Sequence, residues 1–270
     1  MSKNATSADY PQGSSLQRES NPSETIRRIP QISRNLAILL GLLYTDGCVS
    51  PKGNSWRIYF SNKSKSLIHL FQSSIIKSFH LDKRRVRIGR TTDGFLKAVV
   101  DSKEIGTYLV NTFGTFRTLR FNNSILPKSK IPNRELLESG YASIFLRVAF
   151  SCDGGVCFYP TNRNTNKKRW LIRTVFLACA HPTLRDDYHS LLRALGIEAR
   201  NVANDEKIKI EDKVGIEKFY KVIGFIKGVK PTKHSKFWQE YDKQEVLSLM
   251  VTSYNNPEKF YYSPIFEVMI

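Results

Sequence analysis

Residues 39–47 read LLGLLYTDG, and residues 146–154 read LRVAFSCDG. Each stretch has apolar side chains at helical spacing and ends in Asp-Gly. The shared faces consist of Leu39, Leu42, Leu43 and Asp46 in the first stretch, and of Leu146, Ala149, Phe150 and Asp153 in the second. The two stretches therefore predict two equivalent helices, each with an aspartate at the end of its apolar face.

The position of these aspartates predicts a metal site. If the two apolar faces pack together, the carboxylates of Asp46 and Asp153 lie side by side at one end of the helix pair. Helix C-termini carry partial negative charge, so two carboxylates there are unfavourable unless cations lie between them. Oxygen ligands completed by water and substrate phosphates are typical of a Mg²⁺ site for phosphodiester cleavage.

The alternative is that Asp-Gly only ends a helix. Glycine would then supply a left-handed conformation, and aspartate would make a local hydrogen bond. A single occurrence favours this alternative. Two occurrences in equivalent positions of a strongly basic chain favour the metal site.

The same order of elements follows each Asp-Gly. In the first half the patterns predict a strand at 55–62, a helix at 64–79, strands at 84–90 and 95–101, and a helix at 102–113. In the second half they predict strands at 156–160 and 169–180, a helix at 182–197, strands at 197–202 and 207–212, and a helix at 214–225. This repeat predicts an α+β protein of tandem αββαββα units.

Composition divides the chain further. Residues 1–30 are rich in polar residues and proline, so we expect a disordered leader there. We expect the first repeat at 31–120, a proline-containing linker at 121–133 and the second repeat at 134–270.

The charge balance indicates a polyanionic partner. Lys and Arg total 42 against 24 acidic residues, which gives a formal net charge of +18. Nucleic acid is the leading partner and an anionic membrane the competing one, but no apolar run reaches the ~18 residues of a membrane span. The four cysteines form no Cys-x-x-Cys pair, so a structural zinc site is not expected. The first residues do not have the pattern of a secretory signal. We therefore expect reduced thiols, an intracellular location and no membrane partner.

LLGLLYTDG and LRVAFSCDG, with the matching αββαββα order, resemble the two motifs of a single-chain LAGLIDADG homing endonuclease. The resemblance runs from about Ser33 to the last helices. It implies a pseudo-two-fold monomer in which the motif helices form the interface between the halves. It also implies that two antiparallel sheets form a saddle in the DNA major groove.

The resemblance further implies the chemistry. It makes Asp46 and Asp153, with Gly47 and Gly154 beside them, the metal sites of two active centres, each serving one DNA strand. The implied cofactor is Mg²⁺, with Mn²⁺ able to substitute and Ca²⁺ binding without efficient cleavage. Cleavage across the minor groove would leave short 3′ overhangs.

The second motif departs from the family pattern at two positions. Val148 stands where the family usually has glycine, and Arg147 where it has a small or apolar residue. We therefore expect the second helix either to pack less closely or to point Arg147 outward.

Basic and polar side chains alternate with apolar ones in the predicted strands. Such a face can offer guanidinium groups to guanine and ammonium groups to phosphate, although a solvated outer face is the alternative for any single strand. The predicted DNA-binding residues are Arg57, Tyr59, Ser61, Arg85, Arg87, Lys97, Arg169, Arg173, Arg200, Lys207 and Lys209.

Four further residues are candidates for help in catalysis. Asn62 and Lys63 leave a strand just before a helix, and Lys227 and Lys230 follow the closing helix, as in the family's basic segments. Each lysine could polarise a water or stabilise the phosphate in the transition state. Simple phosphate contact or solvation is the alternative for each.

The sequence thus predicts a monomeric, Mg²⁺-dependent, intron-encoded endonuclease that cuts double-stranded DNA at a long pseudo-palindromic or asymmetric target. An RNA-binding maturase that assists splicing of its own intron is the alternative, since the same fold and charge suit intron RNA. A DNA-binding regulator without catalysis is a third hypothesis, but it requires the loss of Asp46 or Asp153, and both are present.

Overall fold

The computed structural model describes residues 31–118, 126–162, 169–231 and 237–261. The first half contains helix α1 (Arg34–Leu43), strands β1 (Gly47–Lys52) and β2 (Ser55–Asn62), helix α2 (Lys65–Phe79), strands β3 (Arg87–Arg90) and β4 (Leu96–Asp101), and helix α3 (Lys103–Phe113). A short helix α4 (Asn133–Glu138) precedes the second half. The second half contains α5 (Ala142–Asp153), β5 (Gly154–Asn162), β6 (Arg169–Ala178), α6 (Pro182–Ala194), β7 (Arg200–Val202), β8 (Lys207–Ile210) and α7 (Lys213–Val222), followed by α8 (Lys243–Thr252) and α9 (Glu258–Tyr261).

The predicted fold class is confirmed, because the αββαββα order occurs twice. The predicted leader lies outside the described residues, as does most of the predicted linker. Strand β1 and helices α4, α8 and α9 were not predicted from the sequence. Helix α1 ends at Leu43, so Asp46 lies in the turn beyond it, whereas Asp153 is the last residue of α5.

The predicted strand at 84–90 is partly wrong. Residues Lys83–Arg85 form a 3-10 turn, and β3 begins only at Arg87. The Asp82 carboxylate accepts a hydrogen bond from the Arg84 backbone N–H at 2.8 Å, which caps this turn. Arg85 is therefore a turn residue and not part of a strand face.

Each half forms one antiparallel sheet. The strand orders are β1-β2-β4-β3 and β5-β6-β8-β7, so the two sheets have the same topology. One face of each sheet is buried by Ile58, Phe60, Ala98 and Val100 in the first half and by Val175, Leu177, Ile208 and Ile210 in the second. The opposite face, here called the outer face, carries the residues between them, as the pleat requires.

Helices α1 and α5 pack directly against each other between the two halves. A Cβ atom at Gly41 would lie 2.9 Å from both the Phe145 carbonyl oxygen and the Val148 Cβ. The helices therefore approach closely, because Gly41 leaves room for Val148. Arg147 is exposed, and its guanidinium donates a hydrogen bond to the Ile223 carbonyl oxygen. Of the two expectations for the second motif, an outward Arg147 is the one observed.

Steric space explains the glycine after each aspartate. A Cβ at Gly47 would lie 2.6 Å from the Leu43 Cα, and one at Gly154 would lie 2.5 Å from the Phe150 carbonyl oxygen. Neither glycine has a positive φ. The left-handed helix end considered from the sequence is therefore wrong, and glycine is needed because each strand turns back against the helix it leaves.

No helix in the described segments combines the length and apolar character needed to span a bilayer. All four cysteines are free thiols.

We predict that Gly41→Ala lowers the free energy of unfolding by about 1–3 kcal/mol, because the added methyl group meets backbone and side-chain atoms of α5. Chemical denaturation measures this change. Val148→Ala in the same chain should recover part of the loss, since it removes one of the clashing groups. Gly89→Ala is the control, because a Cβ at Gly89 has no neighbour within 4 Å. Equal effects at both glycines would contradict the close helix contact.

Candidate active site

Asp46 is held at the junction of the first motif helix and its sheet. It lies in the turn between α1 and β1, and its Oδ2 atom accepts a hydrogen bond from Asn62 Nδ2 at 2.7 Å. Asn62 ends β2, and its Oδ1 atom accepts a bond from the Ser64 backbone N–H at 2.7 Å. The amide of Asn62 is thereby oriented toward the carboxylate. Of the predicted catalytic residues outside the two motifs, Asn62 is the one bonded to an aspartate.

Asp153 lies close enough to Asp46 for the two carboxylates to repel each other. Burial, followed by the negative charge of Asp46, raises the pKa of Asp153 to about 7. Burial also raises the pKa of Asp46, while the hydrogen bond from Asn62 and the positive charge of Lys243 oppose that change. The α1–α5 contact thus brings the two carboxylates together, as the repeat predicted.

Lys243 is the third charged group at this place, and sequence analysis missed it. It is the first residue of α8 and is only 4% exposed. Its Nζ atom donates hydrogen bonds to the carbonyl oxygens of Ser151 at 2.7 Å and Gly154 at 2.6 Å, on either side of Asp153. Part of the positive charge that the paired carboxylates require is therefore supplied by a lysine.

The sequence contained a local signal for α8 but not for its docking. Asp242 and Glu245 form a capping box, which is a readable helix start. That pattern places Lys243 at the N-terminus of a helix. It carries no information on the contact with α5, which lies far away in sequence.

The carboxylates of Asp46 and Asp153 fit a divalent cation whose coordination shell is completed by substrate and water. The described segments contain no group of three or more His, Cys, Asp and Glu residues suited to a metal ion. The two aspartates are hard oxygen donors whose mutual repulsion a cation would relieve. Asp46 and Asp153 would hold such an ion, with water and DNA phosphates as the remaining ligands.

The loop after α7 passes between the two halves. The Ile226 backbone N–H donates to Ser151 Oγ at 2.8 Å, and a Cβ at Gly228 would lie 3.1 Å from Ser66 Oγ. Lys227 is exposed in this loop, between the end of α5 and the start of α2. The structure therefore brings a second-half lysine next to the first-half segment that holds Asn62.

The other two candidate lysines have contacts elsewhere. Lys63 is exposed and its Nζ atom lies 4.7 Å from the centre of the Phe95 ring. Lys230 donates to the Gln239 carbonyl oxygen at 3.1 Å. Neither has a described bond to Asp46 or Asp153.

The outer face of the first sheet is basic. Arg57, Arg87 and Lys52 all bond the Asp101 carboxylate, with N···O distances of 3.0, 2.6 and 2.6 Å. Hydrogen bonding from Arg57, together with Lys52 and Arg87, holds the pKa of Asp101 well below its usual range. Three cations surround one anion, so the cluster keeps a net positive charge.

Other predicted DNA-binding residues lie beside this cluster. Lys97 Nζ lies 3.8 Å from the centre of the Tyr59 ring, and register places Ser61 opposite Lys97. Arg85 reaches the same region from its turn, where it donates to the Asp101 backbone carbonyl at 3.5 Å. The structure thus gathers the predicted first-half residues at one surface.

In the second sheet the predicted face of β6 is wrong. Arg173 pairs with the fully buried Phe158, and its guanidinium donates to Ser253 Oγ at 2.8 Å and to the Ser253 carbonyl at 3.0 Å. The side chain also stacks on Tyr254 at 4.5 Å. Basic and apolar residues alternate in β6, but residues 237–261, here called the C-terminal segment, cover Arg173 on the basic side through Ser253 and Tyr254. The side chain of Arg169 lies outside the described part of the structure.

The remaining second-half residues do lie on the outer face. Arg200 pairs with Glu211 at 2.5 Å, and Lys209 pairs with Asp205 at 2.5 Å. Lys207 Nζ lies 5.4 Å from the centre of the Phe176 ring. These ion pairs are exposed, and such pairs exchange partners at little cost.

No protein-family model and no curated protein matches the sequence. Among solved structures, the chain is similar to the I-LtrWI LAGLIDADG homing endonuclease bound to target DNA, at 12% identity and a TM-score of 0.51, over 85% of this chain and 93% of that one. It is also similar to the I-SmaMI LAGLIDADG homing endonuclease bound to cleaved DNA, at 10% identity and a TM-score of 0.50, over 84% and 91% of the two chains. The chain therefore has the LAGLIDADG homing endonuclease fold, as its motifs predicted.

We predict that the metal-free protein loses stability as pH rises from about 4 to 7. The pKa of Asp153 is raised from 3.8 to about 7, so the folded state binds more protons than the unfolded state across this window. The free energy of unfolding should therefore fall with pH, by at most about 1.4 kcal/mol per pH unit for this group.

Denaturation in a chelating buffer at several pH values measures the effect. The variant Asp153→Asn should gain on the wild type as pH rises, because it has no charge to bury. Asp93→Asn, at an exposed turn position, is the control for loss of one carboxylate. A stability difference between Asp153→Asn and wild type that is flat with pH would contradict the burial of a repelled carboxylate.

Proposed function

We propose that this protein is a site-specific endonuclease that cuts both strands of duplex DNA with divalent metal. The observation that carries the proposal is the pairing of Asp46 and Asp153, each raised in pKa by burial, at the end of the α1–α5 contact. The fold is supporting evidence, since the solved structures it is similar to include endonucleases described with target DNA and with cleaved DNA.

Binding would use the outer faces of both sheets. A net charge of +18 draws the chain to the phosphate backbone, and a two-stranded ribbon of each sheet fits the major groove. Arg57, Arg87 and Lys97 are the first-half candidates for base and phosphate contact. Lys207, Lys209 and Arg200 are the second-half candidates. Arg173 is not among them, because its guanidinium donates hydrogen bonds to Ser253, the residue after α8.

Catalysis would occur between the carboxylates and the bound DNA. Divalent metal supplies Lewis-acid stabilisation of the negative charge that develops on the phosphate. Asp46 and Asp153 would hold the ion, and Asn62 would keep the Asp46 carboxylate turned toward it. Lys243 would fix the end of α5 through its two carbonyl bonds and so the position of Asp153.

Lys227 is the candidate for direct help to the phosphate. It is exposed in the loop that reaches from α5 to α2, so the ammonium group can approach a DNA strand beside Asn62. An ammonium group there would act on charge that develops in the transition state.

The finer features of the proposal follow from the same site chemistry and the family resemblance. We propose Mg²⁺ as the resident metal, with Mn²⁺ as a substitute and Ca²⁺ as a binding but poorly active ion, because Ca²⁺ tolerates looser geometry. We further propose that the protein acts as a monomer, leaves short 3′ overhangs and is encoded by an intron.

We predict that Asp46→Asn and Asp153→Asn each abolish double-strand cleavage and leave binding in Ca²⁺ largely intact. Each change replaces a negatively charged carboxylate of the metal site by a neutral amide of nearly the same shape. The assay is selection of cleaved sites from a randomised DNA library in Mg²⁺, followed by rates on the selected duplex. Asp93→Asn, at the exposed turn position, is the matched control. Cleavage near the wild-type rate in either site variant would remove that aspartate from the active centre.

We also predict that DNA binding weakens steeply with salt. Each phosphate neutralised by Lys or Arg adds ~0.9 to the slope of log affinity against log salt concentration. Titration of the selected duplex at several KCl concentrations gives this slope. A slope near zero would argue against the basic outer faces as the DNA surface. Intron RNA that competes as well as the selected duplex would instead favour the maturase function.

A further inference from the structure

We infer that the second sheet reads a thymine-rich half-site by apolar contact with thymine methyl groups, whereas the first sheet reads its half-site with charged side chains. This inference rests on the proposed function and adds the chemical class of half the target. It is carried by the outer face of β5 and β6, which differs from the equivalent face of the first half.

The long hairpin of the second sheet extends beyond its neighbour. Strands β5 and β6 pair from Gly154 to Asn162, but β8 pairs only with Val175–Ala178 of β6. The part of this hairpin that β8 does not pair with, residues 157–162 of β5 and 169–174 of β6, is here called the ribbon. Register and pleat place six residues on its outer face, namely Cys157, Tyr159, Thr161, Trp170, Ile172 and Thr174.

This face is largely apolar and partly exposed to solvent. Tyr159 is 38% exposed and Trp170 is 45% exposed, although large apolar side chains are normally buried. Ile172, which pairs with Tyr159 across the strands, is partly exposed as well. None of the six outer-face side chains carries a formal charge at neutral pH.

The inner side of the ribbon is fixed by the C-terminal segment. Phe158 stacks on Trp238 at 5.6 Å between ring centres and packs against Phe260 at 5.5 Å with the rings tilted. Trp238 Nε1 also donates to the Phe158 carbonyl at 2.7 Å. Arg173, a basic residue of β6, is held on the inner side by Ser253. The ribbon therefore cannot present Arg173 without breaking this packing, and the apolar side stays outward.

The first sheet has cations at the positions equivalent to the start of the ribbon, because the strand registers align Arg57 with Thr174 and Lys52 with Tyr159. There Arg57 and Arg87, with Lys52, surround Asp101, and Lys97 lies over Tyr59. Guanidinium and ammonium groups suit the acceptors of guanine in the major groove. The two halves thus share a fold and differ in what they offer to bases.

The outer face of the ribbon and its surroundings fit a thymine-containing DNA duplex better than they fit the apolar surface of another protein. On the same outer face, β7 and β8 carry Arg200, Lys207 and Lys209, which suit phosphates beside the ribbon. In the major groove, thymine alone presents a methyl group, and apolar or threonine side chains are its usual partners. Charge complementarity and the apolar centre therefore point to one occupant, a thymine-rich half-site.

The test begins with the full chain and two randomised duplex libraries, bound in Ca²⁺. One library contains thymine, and the other contains uracil in its place, which lacks only the methyl group. We expect enrichment of thymine in one half of the selected site and weaker selection from the uracil library. In the selected duplex, uracil in that half should weaken binding by roughly fourfold for each buried methyl group. Uracil in the other half should have little effect.

A double-mutant cycle, which combines a substitution in the protein with replacement of thymine by uracil in the DNA, tests whether the ribbon contacts the thymine-rich half-site. Ile172→Ala should reduce the uracil penalty in the thymine-rich half, since the methyl partner is gone. Ile88→Ala is the control, because Ile88 is an exposed isoleucine of the first sheet, at 42%, and its pairing with Ala98 places it on the face opposite the outer one. It should leave the penalty unchanged.

The outcomes separate this inference from the proposed function. Failure to enrich any duplex would overturn the proposed function and this inference with it. A selected duplex whose uracil forms bind equally well, or lose affinity equally in both halves, would overturn the inference alone. A concentration-dependent dimer that Ile172→Ala dissociates would also overturn it, since the ribbon would then be covered by a second copy of the chain. The uracil comparison uses the wild-type chain and needs no variant to fold.

Discussion

The contact between α1 and α5 is the constraint on which the rest of the structure depends. At Gly41 the two helices approach until a single added carbon would overlap the backbone of α5. This closeness brings the ends of both helices, and hence Asp46 and Asp153, to the same place. It also fixes where the two sheets begin, because Gly47 and Gly154 turn each strand back against its own helix. Close-packed interfaces transmit small changes of volume, so the site geometry depends on this one contact.

The candidate active site places unfavourable charge where substrate and metal can relieve it. Two carboxylates are partly desolvated and repel each other, and the nearby buried cation is the side chain of Lys243. One lysine does not neutralise two carboxylates. The remaining negative charge favours a divalent ion, and the surrounding basic faces favour the phosphates that would complete its coordination. Stability and function are therefore opposed at this site, since ionised carboxylates destabilise the metal-free protein and are the form that binds metal.

The two halves share the same backbone fold but differ in the side chains on the outer faces of their sheets. Their sheets have the same strand order, and both place apolar residues against the helices. The first outer face is basic around Asp101, whereas the ribbon is apolar. The difference is maintained by residues after α7, because Trp238, Ser253 and Phe260 hold the inner side of β5 and β6. A C-terminal segment thereby determines which chemistry the second sheet shows.

The sequence by itself determined the repeat, the αββαββα order and the pairing of Asp46 with Asp153, because these follow from local periodicity and from the same pattern occurring twice. It also predicted Asn62 beside the site, although not its bond to Asp46. Tertiary structure alone decided the role of Lys243 and the face of Arg173. Both depend on α8 and the residues after it docking on strands and helices that are distant in sequence. Alternation in a strand shows that two faces differ but not which one is covered, and burial is a property of what packs there.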